Sequence, residues 1–326
     1  MTITAVESDN SSIALENKPK LRRYLLVVLA ISACMYLAAL FVVRLPSFER
    51  WGGSFYGPVL DYGFESAGVD ADVVIFGDSS ALYDISPVQM SNALGVKVIN
   101  LPNTLGSLPV TEDMALRQYL STNKKPRLII FYFTVWSLDY DRDSPSSLIY
   151  EGEEMLARHG SMRQIVSFAR KDPTAPLLFP FRFYSASPKA AVLSMIRRQD
   201  RVSAVRASFG HLEPDFKRSP LPRSCVVPET LIRRDNVESA EALLTRYKSR
   251  GVPVLFYIAP VPDCADMGPV VGRSYAALDA RPPQRMEAPE FWDDGFYAHV
   301  IPAAVPRVTD GLVEATRAAL GDRAPR

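Results

Sequence analysis

Two segments far apart in the chain carry residue types that could act together on an ester carbonyl. Ser79 ends the stretch Val-Ile-Phe-Gly-Asp-Ser, and His299 lies five residues after Asp294. A serine hydroxyl is a poor nucleophile at neutral pH and needs an adjacent base. Imidazole suits that role because its unperturbed pKa is about 6.5, and a carboxylate fixes its tautomer. Ser79, His299 and Asp294 therefore form a predicted catalytic triad, with Asp293 as the alternative acid.

Each segment also has an ordinary structural interpretation. Glycine, aspartate and serine all favour turns, so Gly-Asp-Ser and Asp-Asp could be turns and no more. A histidine just before a helix is often structural or simply exposed. The other two histidines, His159 and His211, are poorer candidates because each lies beside a glycine, at a predicted helix end and in a predicted insertion. The elements around Ser79 must decide between these interpretations.

Short apolar runs alternate with amphipathic segments on both sides of Ser79. Buried strands are predicted at 71–76, 96–101, 128–135 and 252–258. Helices are predicted at 86–95, 110–122, 236–250 and within 302–320. This alternation indicates an α/β fold, a parallel sheet with helices on both faces. In such sheets chemistry collects just past the carboxyl ends of the strands, which is where Ser79 lies.

The N-terminal region joins a basic flank to a long uncharged run. We predict a transmembrane helix at 24–43, because 20 uncharged residues at about 1.5 Å each span a bilayer core of roughly 30 Å. Residues 1–23, which precede it, are predicted to form a cytoplasmic tail. The positive-inside rule then places 71–326 outside the cytoplasm, beyond a linker at 44–70. A cleaved signal peptide and a lipoprotein signal at 31–34 are the alternatives, but the long apolar run favours an uncleaved anchor.

A proline-rich part interrupts the α/β pattern at about 139–228. Helical pieces at about 151–170 and 187–199 predict an insertion on the sheet. Nine basic residues against three acidic ones occur in 182–223, which indicates a solvated face or, as the alternative, a surface for an anionic glycan or lipid head groups. The whole chain carries a formal charge of only +1, so its net charge does not indicate a nucleic-acid partner.

The three cysteines show no spacing typical of metal ligands, and we expect neither a metal nor another cofactor. Cys34 lies inside the predicted span as an ordinary apolar residue. Cys225 and Cys264 lie outside the cytoplasm in the predicted topology, where disulfides persist. We therefore expect a Cys225–Cys264 bridge, with two free buried thiols as the alternative.

Three blocks of the sequence, at 77–79, 100–106 and 294–299, resemble those of the SGNH, or GDSL-type, hydrolase superfamily. The resemblance covers roughly 71–135 and 236–320. It is closest to the membrane-anchored, extracytoplasmic branch, whose members O-acetylate exopolysaccharides or assist D-alanylation of teichoic acids. It implies a flavodoxin-like three-layer α/β/α sandwich.

The same resemblance implies roles for individual residues. Ser79 would be the nucleophile, Gly106 an oxyanion-hole donor and His299 the base. The implied function is a serine-dependent O-acetyltransferase or esterase that acts on a cell-surface or exported polysaccharide. Its implied partners are the polysaccharide acceptor and a membrane-bound acyl donor protein, and its implied place is the bacterial inner membrane with the domain in the periplasm.

Two blocks depart from the family pattern. The third block, Gly-x-Asn-Asp, reads Phe-Thr-Val-Trp-Ser-Leu-Asp at 133–139 and lacks the asparagine that completes the oxyanion hole. The last block, Asp-x-x-His, has Phe296 in place of its aspartate, so the loop must bulge for Asp294 to reach His299. These departures motivate an alternative to the enzyme, a non-catalytic scaffold or glycan-binding component of an envelope polysaccharide assembly.

Overall fold

The computed structural model describes residues 18–45, 56–139, 149–171, 203–213, 218–228, 237–266 and 275–321. The predicted helix at 187–199 and most of the predicted cytoplasmic tail lie outside these residues. The helices in the described part include α1 (Lys18–Val43), α2 (Gly57–Phe64), α3 (Ser79–Asp84), α4 (Pro87–Leu94), α5 (Leu108–Thr111), α6 (Met114–Thr122), α7 (Ile149–His159), α8 (Met162–Lys171), α9 (Glu238–Lys248) and α10 (Val305–Leu320). The strands are β1 (Val73–Gly77), β2 (Val98–Leu101), β3 (Leu128–Phe133), β4 (Val254–Ile258), β5 (Val261–Pro262) and β6 (Arg285–Met286).

Four parallel strands form the central sheet, in the order β2-β1-β3-β4. Val73 pairs with Val98 on one side and with Leu128 on the other, so β1 lies in the interior of the sheet. β5 and β6 form a separate parallel pair. The predicted α/β class with a parallel sheet is confirmed, and Ser79 follows a central strand.

Helices cover both faces of the sheet. Alternate residues along a strand point to opposite faces. Val74 and Phe76 belong to an apolar cluster with residues of α6 and α9, whereas Val73 and Ile75 belong to a second cluster with residues of α4 and α10. Burial on both faces explains why β1 and β3 are apolar along their whole length rather than alternating.

Two of the predicted helices are each divided in two. The segment predicted at 110–122 becomes α5 and α6, because Glu112 has a positive φ of 48° and Asp113 turns inward to accept hydrogen bonds from α9. The segment predicted at 151–170 becomes α7 and α8. Between them Ser161 and Gln164 exchange side-chain-to-backbone hydrogen bonds, a capping box that starts a new helix.

The predicted transmembrane helix and the predicted linker that follows it differ in structure. α1 is long and apolar enough to cross a membrane, by length and composition, and most of its side chains are exposed. Farther along, the segment predicted as a linker at 44–70 contains α2, whose Leu60 is buried with Met155 and Leu156 of α7. The globular part of the described chain therefore begins before residue 71.

Candidate active site

The turn from β1 into α3 fixes the position of Ser79. A side chain at Gly77 would collide with the backbone carbonyl of Tyr132 in β3, so the close approach of these strands needs glycine. Asp78 caps α3 by accepting from the Ser80 N–H at 2.9 Å. Its other oxygen accepts from the N–H and hydroxyl of Thr134, at 3.0 and 2.8 Å. Gly77 and Asp78 thus have structural roles, and they hold Ser79 just past the carboxyl end of β1.

Ser79, His299 and Asp294 form one hydrogen-bonded chain. The Ser79 hydroxyl lies 2.8 Å from Nε2 of His299, and Nδ1 of the same ring bonds the Asp294 carboxylate. A carboxylate only accepts, so Nδ1 carries the proton and Nε2 is left to accept from the serine. Ser79 is partly exposed, whereas His299 and Asp294 are 5% and 8% exposed. The arrangement can remove a proton from a hydroxyl that an incoming substrate can reach.

A bulged loop brings Asp294 to His299 across the unusual spacing. The second Asp294 oxygen accepts from the backbone N–H groups of Phe296 and Tyr297, at 2.8 and 3.0 Å. Gly295 and Tyr297 both have positive φ, 77° and 54°, so the chain folds back on the aspartate. The sequence signal for this turn was Asp-Gly, a pair that favours positive φ. Of the two acids proposed from sequence, Asp294 is therefore the partner of His299.

Asp293 has no part in the triad. Its side chain is exposed, and its backbone N–H donates to the Ser219 carbonyl at 2.9 Å.

The surroundings of Asp294 lower its pKa. Burial raises the pKa of this carboxyl, but the hydrogen bond and charge interaction with His299, together with the two loop N–H groups, outweigh the effect of burial. Asp294 is thus held as a carboxylate, the form that can orient an imidazole.

Asp84, a buried acid that the sequence alone does not identify as part of the site, holds the backbone beside His299 in place. It accepts from the Val300 N–H at 3.0 Å and therefore fixes the backbone next to the histidine. Complete burial raises the pKa of Asp84 well above its usual range, the Val300 N–H opposes that rise, and the charges of Asp78 and Asp294 add to it. Asp84 therefore contributes to the site by fixing the backbone at Val300, next to His299.

A cavity of about 200 Å³ opens beside Ser79. The predicted oxyanion residue Gly106 lines it, together with its neighbours Thr104 and Leu105. Thr134 and Ser137, from the segment at 133–139, also line it. The remaining lining residues are Tyr56, Tyr83, Trp136, Glu151, Arg218, Asp294, Phe296, Ala298 and His299.

Glu151 of α7 brings a buried carboxyl group into this cavity, and no motif in the sequence points to it. The side chain is 2% exposed and accepts from the Thr104 hydroxyl at 2.8 Å. Burial raises its pKa to about 7; the Thr104 hydrogen bond opposes the rise, and the nearby Glu154 charge adds to it. The cavity therefore gains a negative charge as the pH rises through neutrality.

The remaining sequence expectations concern cysteines and metals. The structure joins Cys225 to Cys264 in a disulfide, and Cys34 is a free, exposed thiol of α1. Among the residues that the structure describes, no group of three or more histidines, cysteines and acids could hold a metal ion.

Comparison of the chain with models of known protein families, with curated proteins and with solved structures found no match.

Proposed function

We propose that the chain is a membrane-anchored, serine-dependent acyl-ester enzyme. The observation that carries this proposal is the chain of hydrogen bonds from Ser79 through His299 to Asp294 at the mouth of a cavity. Each group has the exposure its role requires, because the nucleophile is reachable and the base and acid are shielded from water. An isolated serine, or a histidine held for structure alone, would need no buried carboxylate behind it.

The first half-reaction transfers an acyl group to the enzyme. The Ser79 oxygen attacks the ester carbonyl carbon while its proton passes to Nε2 of His299. The carbonyl oxygen takes the negative charge of the tetrahedral intermediate. On collapse, the bond to the leaving alcohol breaks and His299 returns the proton to that alcohol, which leaves an acyl-Ser79 ester. Asp294 stabilises the imidazolium formed between these steps.

The oxyanion would lie at the start of α3. The N–H of a residue in the first turn of a helix has no acceptor within that helix, and Ser79 is the first residue of α3. Gly106 supplies the second backbone donor in this proposal, because it lines the same cavity. Losing one such donor typically costs about 10²–10³ in rate.

The second half-reaction decides between esterase and transferase. His299 takes a proton from water or from a sugar hydroxyl, whose oxygen attacks the acyl carbon and releases Ser79. The resemblance to the SGNH superfamily supports a polysaccharide acceptor. The strand order β2-β1-β3-β4, with helices on both faces, supports the flavodoxin-like sandwich of that superfamily. α1 would anchor the domain at the periplasmic side of the inner membrane.

Active-site labelling tests this proposal. The full-length chain in detergent is treated with a fluorescent fluorophosphonate, and its hydrolysis of p-nitrophenyl acetate is followed. We expect one adduct on Ser79, and loss of both label and turnover in Ser79→Ala. Ser121→Ala removes an exposed hydroxyl from α6 and should keep both. A wild-type chain that takes no label and hydrolyses no faster than Ser79→Ala would instead favour the non-catalytic scaffold.

A further inference from the structure

The C-terminal end of α1 is fastened to the junction between α7 and α8. Arg44, the residue after α1, donates to the carbonyl oxygens of Ala157 and Gly160 at 2.8 and 3.0 Å. Leu40 and Val43 are buried in a small cluster with Ala157. Val43 also ends the stretch that is apolar enough to span a membrane. The start of α8 therefore lies next to the point where the chain would leave a bilayer.

One face of α8 combines exposed apolar and basic side chains. Met162 and Val166, one turn apart, are 61% and 47% exposed. Arg163 and Arg170 are exposed on the same half of the helix, and α8 contains no acidic residue. Lys171 lies 3.8 Å from Glu112, so the two arginines carry most of the free positive charge of this face.

The folding of α8 does not require these exposed apolar side chains. Its inward face is formed by Ile165, which is buried with Leu156 and Met155 of α7, and by the partly buried Phe168. Scattered exposed apolar residues are normal on any surface. An apolar pair flanked by arginines on a helix that begins beside a membrane exit is the pattern of a helix lying in a membrane interface.

We propose that the outer face of α8, formed by Met162, Arg163, Val166 and Arg170, lies in the interface of the bilayer that α1 crosses and binds anionic phospholipid head groups. This inference rests on the proposed function in one respect, that α1 spans a membrane. Met162 and Val166 enter the boundary between head groups and acyl chains. The arginines contact lipid phosphates, which attract basic side chains near an anionic surface.

The test uses the full-length chain in nanodiscs of phosphatidylcholine, alone or mixed with phosphatidylglycerol. A thiol-reactive NBD dye is attached at one position, and its quenching by nitroxide-labelled lipid is measured. The native Cys34 thiol reports on α1. In a Cys34→Ser background, Val166→Cys reports on α8, and Val88→Cys is the matched control, an exposed valine of α4 on the opposite face of the sheet.

We expect the dye at position 166 to be quenched far more than the dye at 88, and more with anionic lipid. Added salt should reduce the anionic component. Arg163→Gln/Arg170→Gln should shift the ratio of bound to unbound α8 by about fivefold per charge. Quenching at Cys34 without quenching at 166 would overturn the inference while α1 still spans, as would equal quenching at 166 and 88. No quenching at Cys34 would overturn the span itself, and neither result bears on the Ser79 label.

Discussion

Replacing Glu151 with glutamine should make the protein more stable at pH 8 and leave it unchanged near pH 4. Glutamine keeps a carbonyl oxygen for the Thr104 hydroxyl and fills nearly the same volume. Its amide N–H groups can face the cavity, which the side chain lines. The substitution therefore removes one property above all, the ability of this buried group to ionise.

The expected size follows from the pKa of Glu151, which burial raises to about 7 from an ordinary 4.5. Below pH 4.5 the carboxyl is protonated in both the folded and the unfolded chain, so it has no effect on the free energy of unfolding. Between 4.5 and 7 only the unfolded chain ionises, and each pH unit lowers the stability by about 1.4 kcal/mol. Above pH 7 the full loss, about 3 kcal/mol, is in place.

Thermal unfolding of the full-length chain in detergent, followed by tryptophan fluorescence from pH 4 to 8, measures this difference. For a domain of this size about 3 kcal/mol corresponds to a gain in Tm of roughly 6–12 °C at pH 8. Glu241→Gln, which removes an exposed glutamate of α9, is the control and should follow the wild type. Parallel curves for wild type and Glu151→Gln at every pH would refute the claim that folding holds Glu151 protonated.

Two further substitutions test the triad and the disulfide. Asp294→Asn should lower turnover of p-nitrophenyl acetate by up to about 10⁴, because the amide no longer holds His299 in the required tautomer; the exposed neighbour in Asp293→Asn should leave the rate unchanged, and equal losses in both would contradict the assignment of the acid. Cys264→Ser should destabilise the fold by about 4 kcal/mol, since the bridge closes a loop of 39 residues. Unfolding with and without reductant measures this, with Cys34→Ser as control; a stability equal to that of Cys34→Ser would show that the bridge does not form.

The sheet and the first residue of the triad were predictable because they depend on local pattern. The apolar runs around Val73 and Leu128 are long enough to identify strands, and Ser86 with Gly95 marks the limits of α4 by its caps. Ser79 follows directly from the end of β1. These features depend only on residues that are close together in the sequence, so a local pattern is enough to predict them.

The rest of the site depends on contacts that sequence spacing does not encode. Asp294 reaches His299 only because Gly295 and Tyr297 adopt positive φ, and only one of these two is a glycine. Glu151 enters the cavity because α7 packs beside the loop that carries Thr104, an arrangement that joins residues 47 positions apart. Asp84 supports Val300 across 216 positions. Tertiary packing decides all three.

α7 connects the cavity to the proposed membrane anchor. Glu151 lines the cavity, and Ala157, six residues along the same helix, accepts the hydrogen bond from Arg44 at the end of α1. Six residues of helix correspond to about 9 Å. With α1 in a bilayer and α8 on its surface, Ser79 would work close to the lipid head groups. That closeness favours, within the proposed function, an acyl donor held in the same membrane, because such a donor can reach Ser79 without leaving the bilayer while the acceptor approaches from the aqueous side.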